Sequence, residues 1–205
     1  MKSKNLLLIF TRNPEFGKCK SRLANKVGKQ TALDIYKFLL DHTVSITEKL
    51  ESTKAVYYSE EIWDNDIWNN DIYQKKLQKG EDLGVRMKNA IEDGFNTGYN
   101  KIIVIGSDMF DLNQKDLELA FEKLNSSDFV IGPAEDGGYY LLGMKTLEPS
   151  LFTNKNWGTE TVLKDTLDNL KNKKTEVLDT RNDVDYYEDI KDISAFKPFL
   201  KNIKQ

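Results

Sequence analysis

Cysteine is nearly absent from this sequence: Cys19 is the only one among 205 residues. No internal disulfide can form, which fits a reducing compartment and an expected cytoplasmic location. Histidine is as scarce, and His42 falls in a helical pattern among apolar residues. A lone imidazole of that kind reads as a packed or surface side chain rather than a metal ligand. Long apolar runs are missing too. Leu6 to Phe10 is too short to cross a membrane and has no small-residue cleavage site after it, so it reads as a strand. Positive charge is not in excess. A net charge of −3 argues against nucleic acid as the main partner, because phosphate neutralisation needs a basic surface.

The length suits one domain over residues 1–205, able to enclose a core without staples. Leu6–Thr11 predicts a buried strand that empties into a loop at Arg12, Asn13, Pro14 and Gly17. Leu33, Tyr36, Leu40 and Val44 keep helical spacing through Glu48, and Lys54–Tyr58 predicts a second strand. Leu83, Met87, Ile91 and Phe95 mark a helix over Glu81–Gly98. Ile102–Ile105 predicts a strand ending at Gly106-Ser107-Asp108, and Leu117, Phe121 and Leu124 a helix after it. Strands at Phe129–Ile131 and Tyr139–Gly143 flank a glycine-rich loop. A helix at Thr161–Leu170, a strand at Glu176–Leu178 and a short helix after Asp185 complete the pattern. Strands alternating with helices predict an α/β fold, a mainly parallel Rossmann-like sheet with helices on both faces. Ligands of such sheets lie beyond the carboxyl ends of the strands, so chemistry is sought in those loops.

Two further stretches have a structural reading. Ile62 to Tyr73 nearly repeats every five residues, with Trp63 and Trp68 at matching places. It is read as a short helix or turns tucking aromatics onto the body; the alternative is an aromatic lid over an acceptor pocket. Phe196-Lys197-Pro198-Phe199-Leu200 is expected to dock the tail onto the core.

Four segments carry residue types suited to chemistry. The loop after the first strand holds Arg12, Lys18, Lys20 and Arg22 around Gly17, just before a helix. Backbone N–H groups at a helix start and cationic side chains together suit phosphate oxygens. This is neither a Walker A loop nor a dinucleotide fingerprint, and a solvated basic loop is the plain alternative. Asp108, at the end of an apolar strand, projects where Mg²⁺ or Mn²⁺ bridging phosphates would sit, or else serves as a turn residue. Glu135-Asp136-Gly137-Gly138 resembles a hairpin turn, which explains the glycines but not both acids. Glu135 or Asp136 is a candidate to bind acceptor hydroxyls or act as general base. Asp183 and Asp185 alternate in an extended segment and fall on one side, so Asp185 approaches the same metal as Asp108 or caps a helix. Cys19 lies near the basic loop but has no paired histidine, so no nucleophilic role is assigned to it.

In order and spacing these segments resemble a bacterial family described as radical-SAM/selenodomain-associated transferases, a branch of the nucleotide-diphospho-sugar transferases with a GT-A-like fold. The matching residues are Arg12-x-Pro14-x-x-Gly17-x-x-Lys20-Ser21-Arg22-Leu23 and Gln78-x-Gly80-x-Asp82-Leu83-Gly84-x-Arg86-Met87. Gly106-Ser107-Asp108, Gly132 through Leu141, Trp157-Gly158-Thr159 and Asp183-Val184-Asp185 follow in order. Met109-Phe110 departs from the Ser-Pro usual in the family.

The resemblance implies a three-layer GT-A fold and a metal, Mg²⁺ or Mn²⁺, on Asp108 and Asp185. It puts Arg12, Gly17, Lys20 and Arg22 on the phosphates, and Gln78 and Gly80 near the nucleobase. Gly137, Gly138 and Trp157 fall to the sugar or acceptor. The expected activity is transfer of a sugar from a nucleotide-diphospho-sugar to a small-molecule acceptor. Two alternatives stand beside it: a nucleotidyltransferase that uses a nucleoside triphosphate and releases pyrophosphate, and a silent nucleotide-binding module.

Overall fold

The computed structural model describes residues 4–201 and 203. Strand β1 (Asn5–Thr11) leads into α1 (Ser21–Val27) and α2 (Lys29–Thr47), then β2 (Thr53–Tyr58) and β3 (Tyr73–Leu77). Helix α3 (Leu83–Asn96), β4 (Lys101–Gly106), α4 (Gln114–Ser126), β5 (Phe129–Pro133) and β6 (Tyr139–Met144) come next. The last elements are α5 (Val162–Asn169), β7 (Thr175–Val177) and α6 (Lys197–Leu200), with 3₁₀ turns at Pro149–Phe152 and Ser194–Phe196.

The seven strands form one sheet in the order β3-β2-β1-β4-β6-β5-β7. Strand β6 runs antiparallel to both β4 and β5, and the other neighbouring pairs are parallel. The strand period of two explains how one apolar run fills two cores. Leu7 and Ile9 face a cluster that takes Leu33, Tyr36 and Leu40 of α2 with Leu117, Phe121 and Leu124 of α4. Leu6 and Leu8 face the opposite cluster, which takes Met87, Ala90 and Ile91 of α3. All four side chains of this run are buried, each contributing roughly 1.5–3 kcal/mol against exposure. The expected three layers are therefore present.

Strand β1 connects toward β2 on one side, while β4 lies against its other side. Such a switch in strand order opens a crevice at the carboxyl ends, here between the loops after β1 and β4.

The sequence reading missed one strand and misplaced one helix. Tyr-Gln-Lys-Lys-Leu at β3 has no apolar alternation, because it is an edge strand whose place comes from pairing with β2. No helix follows Asp185 directly. The Asp189 carboxylate accepts from the backbone N–H groups of Asp185 and Tyr186, which closes a local turn in place of a helical ladder. Residues 186–191 form turns, and helix resumes only at Ser194.

The tail docks as expected: Phe196 is fully buried and meets Phe38 edge-on, ring centroids 5.4 Å apart. Between β2 and β3 the chain forms turns rather than a helix, with Trp68 buried beneath them and edge-on to Tyr73. The tucked reading of this stretch is the one seen. His42 is likewise structural, since its Nε2 lies 2.8 Å from the Leu112 carbonyl.

Candidate active site

A buried hydroxyl sets the two loops of the crevice. Tyr36 of α2 donates to the Arg12 carbonyl and accepts from the Arg12 N–H, each at 3.0 Å. It also lies 3.2 Å from Ser107 Oγ, which donates to Thr11 Oγ1 at 3.1 Å. The loops after β1 and β4 are therefore tied to one helix and to each other. Gln78 adds a third tie: its amide donates to the carbonyls of Thr11 and Tyr57, which leaves its carbonyl oxygen without a hydrogen bond among the described residues.

Lys20 immediately precedes α1 as its N-cap, in the left-handed region at φ 47°, and its side chain is 5% exposed. Its ammonium lies 2.8 Å from Asp108 Oδ2 and 3.0 Å from Asp185 Oδ1. Arg22 reaches the other oxygen of Asp185 at 3.1 Å. The Val184 N–H donates to the Asp108 carbonyl at 3.3 Å, so the two acid-bearing segments are also joined through backbone. Gly106 leaves room for this arrangement, because a Cβ there would stand 2.8 Å from Asp108 Oδ1.

Charge follows the geometry. Burial acts to raise the Asp108 carboxyl, but the charge and hydrogen bond of Lys20 override it and hold it below the usual range. Burial likewise acts to lower the Lys20 ammonium, and Asp108 and Asp185 reverse this, keeping it charged. Asp183 takes no cation in a salt bridge among the described residues. Burial first, then the charges of Asp108 and Asp185, push its carboxyl up to about 6.

Carboxylate oxygens of Asp108, Asp183 and Asp185 all lie within 4.8 Å of one another. Hard oxygen donors at that spacing suit Mg²⁺ or Mn²⁺. Lys20 offsets part of the negative charge, and Asp183 is left without a counter-ion. The residues present therefore fit a divalent cation.

Two cavities meet at these acids. The first, of 480 Å³, is lined by Arg12, Lys18, Lys20, Arg22 and Arg86, together with Gln78 and Ser59. The second, of 220 Å³, is lined by Asp136, Gly138, Trp157 and Asp183 and shares Phe10, Leu83, Gly106 and Asp108 with the first.

Of the residues singled out from sequence, Arg12, Lys20, Arg22, Gln78, Asp108 and Asp185 come together at the first cavity. Asp136, Gly138 and Trp157 line the second. Gly17, Gly80, Glu135 and Gly137 line neither, and Glu135 is exposed with its backbone N–H donated to the Arg181 carbonyl. Sequence reasoning passed over Arg86 and Ser59. Arg86 carried a signal, one helical turn after the N-cap Asp82 in a quoted motif. Ser59 had none, since only its place at the end of β2 brings it to the cavity. Cys19 is buried, donates to the Asn13 carbonyl at 3.3 Å, and has its thiol pushed up by burial, which disfavours a thiolate.

Comparison with known proteins follows the same lines. No curated protein matches this chain. A Desulfovibrio desulfuricans protein, a candidate nucleotide-diphospho-sugar transferase, has a similar crystal structure. It is 29% identical, with 97% of this chain and 94% of that one aligned at a TM-score of 0.87. A cytidylyltransferase from Leptospira borgpetersenii shares the fold at 17% identity and a TM-score of 0.56, over 91% of this chain and 83% of that one. The Mycobacterium tuberculosis protein Rv0371c, solved as a complex with manganese, shares it at 12% identity and a TM-score of 0.53, over 91% and 96%. Among the described residues no helix is long and apolar enough to cross a membrane. A family model described as an uncharacterized protein conserved in bacteria (DUF2064) matches residues 42–159, more than half of the sequence. The chain belongs to the DUF2064 family.

Proposed function

We propose that this protein is a divalent-metal-dependent glycosyltransferase, moving a sugar from a nucleotide-diphospho-sugar donor to a small-molecule acceptor. The observation that carries the reading is the junction of the two cavities. A basic cavity meets an apolar one across the carboxylates of Asp108, Asp183 and Asp185. The likeness to the Desulfovibrio protein, a candidate for the same chemistry, supports it. The motif order from Arg12 to Asp185 supports the narrower kinship with the radical-SAM/selenodomain-associated transferases.

Mg²⁺ or Mn²⁺ on Asp108 and Asp185, with Asp183 beside them, would neutralise charge on the departing nucleoside diphosphate. Arg12 and Arg22 hold the phosphates through charge-assisted hydrogen bonds, while Lys20 stays between Asp108 and Asp185. The fixed acceptor oxygen of Gln78 takes an N–H of the nucleobase. Asp136, at the mouth of the second cavity, orients the acceptor hydroxyl and takes its proton as the acceptor attacks the sugar carbon. Trp157 and Gly138 line the cavity that takes the acceptor.

A second reading, nucleotidyl transfer from a nucleoside triphosphate, is favoured by the fold shared with the cytidylyltransferase and by five cationic side chains around the first cavity. Product analysis separates the two readings. The experiment is a thermal-shift screen with nucleoside triphosphates, diphosphates and nucleotide-diphospho-sugars, each with and without Mn²⁺ or Mg²⁺. A ligand at a hundred times its Kd stabilises by about 2.7 kcal/mol. A metal-dependent shift with a nucleotide-sugar, lost in Asp108→Asn, and release of nucleoside diphosphate support the proposal. Pyrophosphate release from a triphosphate replaces it with the second reading, and no shift with any of them removes both.

A further inference from the structure

The two cavities that share Asp108 differ in sign. The first is ringed by cationic side chains. The second has no lysine, arginine or histidine in its lining and carries Asp108, Asp136 and Asp183. Its large apolar and aromatic side chains include Phe10, Met87, Met109, Tyr139, Tyr140 and Trp157. Trp157 is a fixed part of that wall: three of its ring atoms lie 2.5–2.6 Å from where a Cβ on Gly84 would stand.

We infer that the second cavity takes the acceptor, and that this acceptor is an uncharged or cationic, ring-sized molecule with an apolar face, not a phosphorylated or carboxylated one. The inference rests on the transferase reading above. An anion in this cavity would meet Asp136 and Asp183, neither of which takes a cation in a salt bridge among the described residues, while Lys20 is already committed to Asp108. A divalent cation held by Asp108, Asp183 and Asp185, together with Lys20, balances those three carboxylates and leaves Asp136, which takes no cation in a salt bridge among the described residues, as the charge facing this cavity. A cationic or neutral molecule meets no such penalty.

Shape narrows the class further. At 220 Å³ the cavity falls below the roughly 300–1,000 Å³ of pockets for drug-sized ligands, which leaves room for a single ring. Aromatic walls favour a ligand with a flat apolar face, such as an aryl group or the hydrophobic side of a sugar. The acidic rim then sits opposite the ligand's hydroxyl or ammonium group. The diphosphate, by contrast, is held apart by the partition of charge, so donor and acceptor cannot exchange sites.

Three probes with one phenol ring and different side arms test this: tyramine, 2-(4-hydroxyphenyl)ethanol and 4-hydroxyphenylacetate, titrated against the full chain by saturation-transfer NMR. The amine and the alcohol are expected to bind, and the carboxylate at least about tenfold more weakly. Trp157→Ala is expected to lose both ligands, while Trp157→Phe keeps a ring and retains them, which separates lost contact from lost folding. Asp136→Asn with Asp183→Asn is expected to narrow the gap between alcohol and carboxylate. The inference is overturned if the carboxylate binds as well as the alcohol, if Trp157→Ala still binds, or if neither amine nor alcohol binds. A thermal-shift titration of UDP and GDP with Mn²⁺, on the same samples, reads the basic cavity separately. If neither nucleotide shifts the protein while the charge order holds, the donor reading fails and the selectivity of this cavity stands. A nucleotide shift with the charge order reversed overturns only the acceptor class.

Discussion

The Lys20 ammonium lies 2.8 Å from the Asp108 carboxylate across 88 residues of sequence, and the same ammonium reaches Asp185 at 3.0 Å. One cation therefore holds together the two acids proposed to bind a metal. Removing it should have two opposed effects. Lys20→Met leaves three carboxylates facing one another with Arg22 on Asp185 and Arg12 acting on Asp108, so in chelator the fold is expected to lose roughly 1–3 kcal/mol. The lower end applies, because 36% of the Asp108 side chain is exposed and solvent screens it. Mn²⁺ alone is expected to bind the variant more tightly than the wild type by about tenfold, since no ammonium competes for the carboxylates. Urea denaturation in chelator and Mn²⁺ titration by electron paramagnetic resonance measure the two separately. Weaker Mn²⁺ binding by the variant would show that Lys20 is not a competitor for the site.

The raised Asp183 carboxyl makes the metal-free fold pH-sensitive. Its ordinary value of 3.8 rises to about 6, through burial and then through Asp108 and Asp185. Below pH 3.8 folded and unfolded chains both hold this proton, and the contribution to stability is whole. As pH rises through about 6, the folded site gives up a proton that the unfolded chain has already lost, and that contribution disappears. Asp183→Asn fixes the neutral form. In chelator the variant should melt a few degrees above wild type at neutral pH, and the gap should close as pH falls from about 6 to 3.8. A constant difference at all pH values would point to packing rather than titration.

How much of this was readable beforehand depends on what each feature rests on. Leu6 to Phe10 and Ile102 to Ile105 declare themselves as central strands because buried parallel strands need continuous apolar residues. Strand β3 does not, since Gln74, Lys75 and Lys76 are edge residues, and the pairing with β2 that orders them is long-range. The same limit applies to the site. Asp108, Asp183 and Asp185 could be singled out from their places at strand ends and in an extended segment. That Lys20 would lie between two of them, rather than free for phosphate, follows only from the topology that sets β1 beside β4. Glu135 shows the converse: of two adjacent exposed acids in one loop, Asp136 lines a cavity and Glu135 lines neither.

Trp68 allows the tucked and lid readings of the β2–β3 connection to be separated in solution. Its indole is 2% exposed and packs edge-on against Tyr73 at 5.1 Å. Trp68→Ala should cost about 3–5 kcal/mol, as for other large-to-small changes in a core. Urea denaturation measures it. A lid residue would instead lose little stability and change ligand affinity.

The contact between Gly84 and Trp157 predicts a reversal of sign. Alanine is favoured over glycine in a helix by about 1 kcal/mol, and Gly84 lies in the first turn of α3. Against this, a Cβ at Gly84 would meet the Trp157 ring at 2.5 Å, and forcing a side chain into filled space costs roughly 1–3 kcal/mol. In the wild-type background the clash should win, and Gly84→Ala should destabilise. With Trp157→Ala in place the clash is gone, only helix propensity remains, and the same Gly84→Ala change should stabilise. Urea denaturation of the four proteins closes a double-mutant cycle, and the coupling should exceed 0.5 kcal/mol, the lower bound expected for residues in contact. Additive effects would mean that the indole does not rest on Gly84 in solution, and the cavity would then lose its fixed wall.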